Sequence, residues 1–553
     1  MKKYVRLICL LLCLAFAFCS CSDTAEEMTD TDAVSESSPS GDDAPAPEEK
    51  KEGTVVNIDG DALTYMYKAN GKNIDDLEAK CVKWFDDGYA DCGISDILYD
   101  LSTTVPNDTW ESKYDRYTKT SENGISVSYK DNEGCEASYR IYEETDVDPY
   151  AVWMRECREN GINPWLSFRM NDVHYANEAT GHSDFFYTAK ANGWMIGNGR
   201  ASYWLNNACT QGSRNWYQYA LDYSVPEVRA YFTEHIDEML GKYDVYGIEL
   251  DWHRTIWCFE TDDVANCQYM DLLMEEVNRI VAKYEAQYGH EIKIMARIGR
   301  DIDENKYFGF DVVSWAQKDM IDVVVPASYW GSTDSDMPIS EWVEKLADYP
   351  KVEIYAGLEC HTVNNSLWQS ISSLAGYTAS YLSQGADKIY LYNMFNDIKE
   401  KFEVCSSLEK ALGAAKRSYI VTESNATPQN AGFTQYDPLP LSLTVNVKTD
   451  GIVINHGALS TRNESVLYIA VSGVQTEDIS EAMLKVYYNG VECEYKGTSV
   501  KSYVGEKADF GFVIQYNIPK TAWESSASGA VTFDAGMNLT VNYIELMNGN
   551  TRI

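Results

Sequence analysis

Short apolar runs of strand length alternate with amphipathic helical stretches between about residues 60 and 420. Pro226 opens one of the helix candidates, and Gly161 and Gly289 close two others. A strand followed by a helix, repeated eight times, predicts a (β/α)8 barrel, because an open doubly wound sheet usually has fewer strands and a Gly-rich phosphate turn. The eight predicted strands are ALTYMY (62–67), DILYDL (96–101), NPWLSFRMND (163–172), VYGIELDW (245–252), KIMARIG (293–299), DVVVPASYW (322–330), VEIYAGLEC (352–360) and KIYLYNMFN (388–396).

The periodicity changes after about residue 430, where helical patterns give way to alternating apolar and polar positions. Leu443, Val445 and Val447 fall on one face of such a run, which is typical of a half-buried antiparallel strand. The chain is therefore predicted to be an α/β protein with a (β/α)8 TIM barrel at 57–425 and a small C-terminal antiparallel β-sandwich at 430–553. Further sandwich strands are predicted at SVLYIAVSG, AMLKVYYNG, ADFGFVIQYNIP and NLTVNYIEL.

The first residues predict export. Lys2, Lys3 and Arg6 precede an apolar run at 7–18 that is too short to span a membrane comfortably, so residues 1–21 read as a signal peptide. The text FCSC at 18–21 resembles a bacterial lipobox, with Phe18 where Leu is usual, and this resemblance implies a lipid on Cys21. Simple secretion and an uncleaved anchor are the alternatives.

Residues 22–56 are rich in Ser, Asp, Glu, Pro and Ala, which is the composition of a flexible acidic linker. The chain is thus expected to be lipid-anchored to the bacterial membrane or cell surface, and to meet the membrane only through its N-terminal lipid.

Length and charge limit the classes of function. A chain of 553 residues with 45% apolar residues is long enough for two folded domains. Its net charge of −39 repels phosphate backbones, which excludes nucleic acid as an expected partner. The cysteine spacings match no zinc pattern, and no metal or cofactor is predicted. Cys81 with Cys92 and Cys258 with Cys267 are open candidates for disulfides.

The fourth predicted strand carries the clearest candidate for chemistry. Glu249, Asp251 and His253 are two apart, so they share the face that points into a barrel near its mouth. Acids placed together there raise each other's pKa and are costly unless they are used or paired with a cation. We predict a functional acid at Asp251, and the alternative is a salt-bridged cluster with Arg254, Arg297 or Arg169.

The other strand ends carry polar and aromatic residues, and the carboxyl ends of barrel strands are where such folds bind ligands. Carboxylates, amides, arginines and aromatic rings around one mouth suit sugars, whose hydroxyls need polar partners and whose C–H faces stack on rings. The residues predicted to bind substrate are Arg169, His174, His253, Arg254, Arg297, Tyr329, Trp330, Tyr392 and Asn393. Aromatic residues in the loops after strands three and four were expected to add to this surface: Trp194, Tyr203, Trp204, Trp216, Tyr217, Trp257 and Phe259.

Glycoside cleavage normally needs two carboxyl groups, one that protonates the leaving oxygen and one that acts as a nucleophile or activates water. Asp251 is the first candidate. Glu359, at the end of strand seven, is one candidate partner, and Asp172 and Glu249 are rivals from nearer strands. The predicted enzyme is a glycoside hydrolase acting on a poly- or oligosaccharide.

Four segments resemble a family of glycosyl-hydrolase-like barrels, related in outline to glycoside hydrolase family 10, that occurs in bacterial lipoproteins and secreted proteins. The segments are RMNDVH, LDYSVPEVRAYFTEHIDEMLGKYDVYGIELDWHR, FGFDVVSWAQKDMIDVVVPASYW and KRSYIVT, and the resemblance covers roughly residues 60–425. It implies a glycosidase-type site and places emphasis on Asp251, Asp172 and His174, without implying a substrate.

Two other functions remain open at this point. One is a glycan-binding surface lipoprotein whose barrel has lost catalysis. The other is a surface scaffold, in which arginines would pair off the acids at the mouth. The sandwich is either a carbohydrate-binding module or a domain that packs against the barrel.

Overall fold

The computed structural model describes most of the chain after residue 51, with gaps mainly in loops. The described residues are 52–100, 133–173, 184–197, 219–328, 333, 335–363, 367–394, 398–422, 438–445, 447–457, 459, 464–499 and 511–549.

Eight parallel strands close into a barrel, which confirms the predicted (β/α)8 fold. Each strand pairs with the next barrel strand along the chain, and the last pairs with the first. The barrel strands are β1 (Thr54–Ile58), β2 (Ile94–Asp100), β3 (Asn163–Arg169), β4 (Gly247–Asp251), β5 (Lys293–Gly299), β6 (Val323–Ala327), β7 (Glu353–Glu359) and β10 (Lys388–Tyr392).

Helices connect the strands around the outside of the barrel, and local signals set several of their ends. Asp148 accepts a hydrogen bond from the Tyr150 backbone and Pro149 occupies the first helical turn, while Gly289 ends the longest helix at a positive φ of 79°. Among the described residues, no helix is long and apolar enough to cross a membrane. The helices are α1 (Ala62–Ala69), α2 (Leu77–Gly88), α3 (Glu133–Glu144), α4 (Pro149–Glu159), α5 (Asp184–Asn192), α6 (Pro226–Lys242), α7 (Cys267–Tyr288), α8 (Val312–Gln317), α9 (Ile339–Lys345), α10 (Ile371–Ser383), α11 (Lys399–Cys405) and α12 (Leu408–Gly413).

The first strand differs from the prediction. The run ALTYMY at 62–67 lies in α1, and the strand is TVVNI, Thr54–Ile58, which is buried along its whole length. Ala62, Leu63, Met66 and Tyr67 are buried together on one side of α1. The prediction was wrong because a short apolar run fits a buried strand or one face of a helix equally well.

Inward-facing side chains fill the barrel. Trp165, Met295, Tyr355 and Tyr390 belong to one buried apolar cluster inside it. Below this cluster, at the amino ends of the strands, Lys388 forms a buried ion pair of 2.6 Å with Asp96. The barrel interior is therefore a packed core, and the carboxyl ends of the strands are where folds of this kind bind ligands.

The C-terminal part forms two antiparallel sheets. The larger has the order β11-β20-β14-β18-β17, with β12 also pairing with β20, and the smaller has the order β13-β19-β15-β16. Buried side chains such as Tyr419, Ile469 and Phe533 form one cluster in this domain, which confirms the predicted sandwich. The strands are β11 (Lys416–Thr422), β12 (Leu441–Leu443), β13 (Ile452–Asn455), β14 (Glu464–Ser472), β15 (Leu484–Tyr488), β16 (Val491–Glu492), β17 (Glu494–Ser499), β18 (Phe512–Asn517), β19 (Ser528–Ala535) and β20 (Leu539–Gly549).

Two details of the sandwich differ from the sequence pattern. Strand β11, which the pattern placed in the barrel segment, pairs with β20 along its whole length. Strand β12 ends at Leu443, and Val445 and Val447 are exposed rather than buried on the same face. The apolar alternation continues past the last residue that has a pairing partner.

The sandwich packs on the barrel through α10. A Cβ atom at Gly376 would lie 2.1 Å from the Ser418 carbonyl oxygen, so only glycine permits this approach of helix to strand. The Tyr377 hydroxyl donates a 3.1 Å hydrogen bond to the Ile420 carbonyl. Strand β11 thus joins the two domains as well as forming a sheet edge.

Neither candidate pair, Cys81 with Cys92 or Cys258 with Cys267, forms a disulfide in the described part of the chain. Burial raises the pKa of Cys81 to about 12 and that of Cys267 to about 11. These thiols therefore stay protonated at neutral pH.

Candidate active site

The carboxyl ends of the barrel strands bring charged side chains together in one layer. Alternate residues of a strand share a face, so the last inward-facing position of each strand contributes to this layer. All of its members are at least nine-tenths buried. They are Asp59, Asp100, Arg169, Asp251, Arg297, Glu359 and Tyr392.

Arg297 holds two of the predicted acids. Its Nη1 atom donates to Asp251 Oδ1 at 3.0 Å, and its Nη2 atom donates to Glu359 Oε1. The guanidinium lies over the Tyr392 ring, 3.7 Å from its centroid. A planar guanidinium fixes both carboxylates in its own plane, so Asp251 and Glu359 face one another across a single side chain.

Asp251 keeps hydrogen-bonding capacity after these contacts. Its Oδ1 atom also accepts from the His253 backbone N–H at 2.9 Å. Its Oδ2 atom is buried and has no hydrogen-bond partner among the described residues. A buried carboxylate oxygen without a donor is costly, and this atom keeps the capacity to accept a further hydrogen bond.

Glu359 is an acid that titrates near neutrality. Burial raises its pKa to about 7; the charges of Arg297 and Arg254 oppose this rise, and the charge of Asp251 adds to it. A carboxyl group with such a pKa carries its proton at mildly acidic pH and can donate it, which is what a general acid requires.

Glu249 lies one layer deeper on the same face of β4. Its Oε2 atom accepts from Ser167 Oγ at 2.5 Å and Asn57 Nδ2 at 3.1 Å, and its Oε1 atom accepts from the Tyr390 hydroxyl at 2.6 Å. Burial and then the charge of Asp251 raise its pKa to about 7. Both oxygens accept hydrogen bonds inside the barrel, and the catalytic role considered for Glu249 stays a prediction.

Asp172 belongs to a second cluster, around Arg169. Arg169 contacts Asp172 at 3.2 Å, Asp59 at 2.6 Å and Asp100 at 2.8 Å. Burial raises the pKa of Asp59, but the charges of Arg169 and Arg254 and the hydrogen bonds from the Asp61 backbone and Arg169 together leave that pKa below the usual value. Three carboxylates therefore share one cation, and Asp172 is separate from the pair on Arg297.

Asp59 and Asp100 are functional candidates that the sequence reasoning missed. Asp100 ends the second strand. It would have been a candidate if the end of this strand had been considered in the same way as the ends of the other strands. Asp59 follows Ile58 directly, and it was hidden because the first strand was assigned eight residues too late. A correct first strand would have placed an acid at every one of strands one, two, four and seven.

The structure describes three of the remaining predicted binding residues, which are His253, Arg254 and Asn393. Burial, followed by the charge of Arg297, lowers the pKa of His253, so this buried ring is neutral. Burial lowers the pKa of Arg254, but the nearby Tyr392 and acids raise it above its usual value overall. Asn393 follows β10 at a positive φ of 52°. The predicted binding residues His174, Tyr329 and Trp330 lie outside the described residues, as does Cys21, the predicted site of lipid attachment.

The aromatic loop residues are only partly available for sugars. Trp257 and Phe259 are buried in the main core, so their expected place on the binding surface was wrong. Trp194 is half-buried and packs against the same core. The composition of a loop therefore did not show that its aromatic side chains pack into the core. Tyr203, Trp204, Trp216 and Tyr217 lie outside the described residues.

Comparison with known proteins gave matches only among solved structures. No family model matches the chain, and no curated protein does. One structural match is the α-L-fucosidase isoenzyme 2 from Paenibacillus thiaminolyticus, with 12% identity, 65% of this chain and 48% of that chain covered, and a TM-score of 0.33. This chain thus spans about half the length of that enzyme.

Two further matches are glycoside hydrolases by their descriptions. The PgaB (BpsB) glycoside hydrolase domain from Bordetella bronchiseptica matches with 10% identity over 65% of this chain and 99% of that chain, at a TM-score of 0.37. A glycoside hydrolase family 18 N-acetylglucosaminidase from Paenibacillus barengoltzii matches with 10% identity over 65% and 99%, at a TM-score of 0.34. The resemblance to family 10-like barrels stays a prediction.

Proposed function

We propose that this chain is a glycoside hydrolase that cleaves O-glycosidic bonds of an oligo- or polysaccharide, with Asp251 and Glu359 as its two carboxyl groups. One observation carries the proposal: a single buried guanidinium, Arg297, holds both carboxylates at the carboxyl end of the barrel. Two carboxyl groups flanking one bond are the usual requirement of this chemistry, and the barrel mouth is where such folds perform it.

The roles follow from the surroundings of each acid. Glu359, with its pKa raised to about 7, donates its proton to the glycosidic oxygen as the bond to the anomeric carbon breaks. Asp251, through Oδ2, attacks the anomeric carbon or takes a proton from the attacking water. Glu359 ends the step as a carboxylate beside Arg297, whose charge stabilises that form.

The test is release of reducing ends from a broad glycan panel by a soluble form of the chain, residues 22–553, beside Glu359→Gln. We expect cleavage of one class of glycan by the wild-type chain and a loss of about 10²- to 10³-fold in kcat in the variant, because an amide cannot donate the proton. Because protonated Glu359 is the active form, kcat/KM should fall as pH rises above about 7. Glu359→Gln should lack this alkaline limb, and a variant that keeps it would contradict the assignment.

A second candidate function is capture of glycans without cleavage. The observation that favours it is the ion pairing of both acids to Arg297, which would hold them as hydrogen-bond acceptors for sugar hydroxyls. Such a protein would bind members of the panel in affinity electrophoresis and release no reducing ends. That result would replace the hydrolase proposal.

We also propose that the mature chain is anchored through a lipid on Cys21. Support comes from the charged and apolar start of the chain and the lipobox-like text at 18–21. In cells fed labelled palmitate, the wild-type protein should carry the label and partition with membranes, because acyl chains provide the anchoring energy. Cys21→Ala should lose both. A labelled Cys21→Ala protein would contradict this site of attachment.

A further inference from the structure

An exposed tryptophan lies in the hairpin that follows the candidate acid Glu359 along the chain. The chain leaves β7 at Glu359 and forms a short hairpin of β8 (His361–Val363) and β9 (Leu367–Trp368). The Trp368 side chain is 62% exposed, the largest value among the exposed large hydrophobic residues that the structure describes. Exposure of an indole leaves a large apolar surface in water, which a ligand could cover.

Hydrogen bonds hold the base of this hairpin to the end of β7. The Gln369 backbone N–H donates to the Cys360 carbonyl at 3.0 Å, and Gln369 Nε2 donates to Thr333 Oγ1 at 2.7 Å. Thr333 Oγ1 in turn donates to the His361 carbonyl at 3.0 Å. The position of Trp368 is thereby tied to the backbone that carries Glu359.

His361 supports the indole from the neighbouring strand. His361 and Trp368 are cross-strand partners, and their ring centroids are 4.1 Å apart at an interplanar angle of 44°. Burial lowers the pKa of His361, so its ring is uncharged at neutral pH. The indole is thus ordered by an aromatic neighbour while most of its surface remains open to solvent.

The exposed apolar surface continues past the hairpin. A cavity of about 940 Å³ is lined by Ser370, two residues after Trp368 along the chain, by the start of α10, and mostly by α11, α12 and the residues up to Lys416. Ile371 and Ile398 line it and are 38% and 51% exposed, and Glu400 and Lys401 add charged groups. An apolar floor with polar groups at its margin is the composition of a site for a ligand with both C–H and hydroxyl surfaces.

We propose that Trp368 is a stacking platform for a sugar ring next to the bond that is cleaved, and that the substrate is a chain of several sugar units continuing toward the Ile371–Ile398 cavity. This inference rests on the proposed hydrolase function. Sugar rings present C–H faces to an indole and hydroxyls to charged groups, which matches the exposed indole of Trp368 and the charged residues beside the cavity. Trp368 is a positioning residue, since it is assigned no part in proton transfer or bond formation.

The test measures cleavage of defined oligosaccharides by the mature chain and by Trp368→Ala and Trp368→Phe. The probes are β-1,4-linked glucose, β-1,4-linked N-acetylglucosamine and α-1,4-linked glucose, each from two to six units, together with the substrate class found on the glycan panel. Leu272→Ala is the matched control, because it removes an exposed apolar side chain from α7 on the outside of the barrel.

For the longer probes we expect Trp368→Ala to raise KM about 10- to 50-fold with kcat nearly unchanged, because it removes apolar contact that the ground state and the transition state share. Trp368→Phe should recover most of the loss, since it keeps a ring. Disaccharides should be less affected, and Leu272→Ala should match the wild type. Melting temperatures should stay equal, because Trp368 is exposed.

Two outcomes would overturn the inference, and a third separates it from the proposed function. A wild-type KM in Trp368→Ala, or an equal effect on all chain lengths, would exclude the platform. A wild-type chain that cleaves no glycan would contradict the hydrolase proposal. Isothermal titration calorimetry with the same probes would then decide on Trp368 alone: affinity lost in Trp368→Ala would support the platform, and unchanged or absent binding would end it.

Discussion

Asp251→Asn is expected to lower kcat for glycan cleavage by about 10³- to 10⁵-fold while leaving the fold intact, because it removes the proposed nucleophile or base. The amide has the shape of the carboxylate, and its oxygen can still accept from Arg297 Nη1 and the His253 backbone N–H. What is lost is the negative charge beside the anomeric carbon. The measurement is reducing-sugar release on the panel substrate, with circular dichroism to confirm folding.

The same substitution also removes a negative charge that lies near two other acids. The charge of Asp251 contributes to the raised pKa of both Glu359 and Glu249. Its removal should therefore lower both pKa values. The alkaline limb of the residual activity should move to lower pH in Asp251→Asn.

Asp172→Asn is the matched control for this prediction. It makes the same chemical change at the mouth, but on the Arg169 cluster, where Asp59 and Asp100 also contact the guanidinium. We expect a much smaller loss of kcat than in Asp251→Asn. If Asp172→Asn lost as much as Asp251→Asn, the pair on Arg297 would not be the catalytic one.

The last inward-facing residues of the predicted strands include most of the charged layer at the mouth. They could be identified because the inward face and the carboxyl end of a strand can both be read from an alternating pattern. Asp59 was missed because a run of apolar residues in α1 was taken for the first strand. An apolar run of six residues does not distinguish a strand from one face of a helix. The element type was settled by packing, since Thr54–Ile58 is the segment that pairs with β2 and β10.

Depth and pairing could not be read from the sequence. Glu249 and Asp251 share a face in the pattern, yet one is enclosed by Ser167, Asn57 and Tyr390 and the other reaches the mouth layer. These partners come from strands far apart in sequence. Only closure of the barrel brings them to Glu249, so no local pattern ranks the two acids.

Arg297 links strands that are not all neighbours. Arg297 on β5 contacts Asp251 on the adjacent β4, but it reaches Glu359 on β7 across the intervening β6. Its register partner on β6 is Val325. The sequence offered three arginines as possible partners, and only closure of the barrel shows which of them reaches both acids.

Arg297→Met should lower the free energy of unfolding by about 3 to 5 kcal/mol, because it leaves two buried carboxylates without their cation. The loss should depend on pH. The charge of Arg297 lowers the pKa of Glu359, so its removal raises further a pKa that already exceeds the usual value of 4.5. An acid whose pKa is raised in the folded state favours folding at low pH and loses that contribution as pH rises. Urea unfolding should therefore show a larger loss at pH 8 than at pH 5.

Two variants show whether the loss comes from unpaired charge rather than from lost packing. Arg279→Met removes an exposed arginine that pairs with Glu276 on α7, and it should leave stability unchanged. The triple variant Arg297→Met, Asp251→Asn, Glu359→Gln removes cation and anions together and should regain most of the stability, since neutral groups of similar volume are tolerated where an isolated buried charge is not. If the triple variant remained as unstable as Arg297→Met at pH 8, the stacking of the guanidinium on Tyr392 would be the main contribution of Arg297, and the two acids would not depend on its charge.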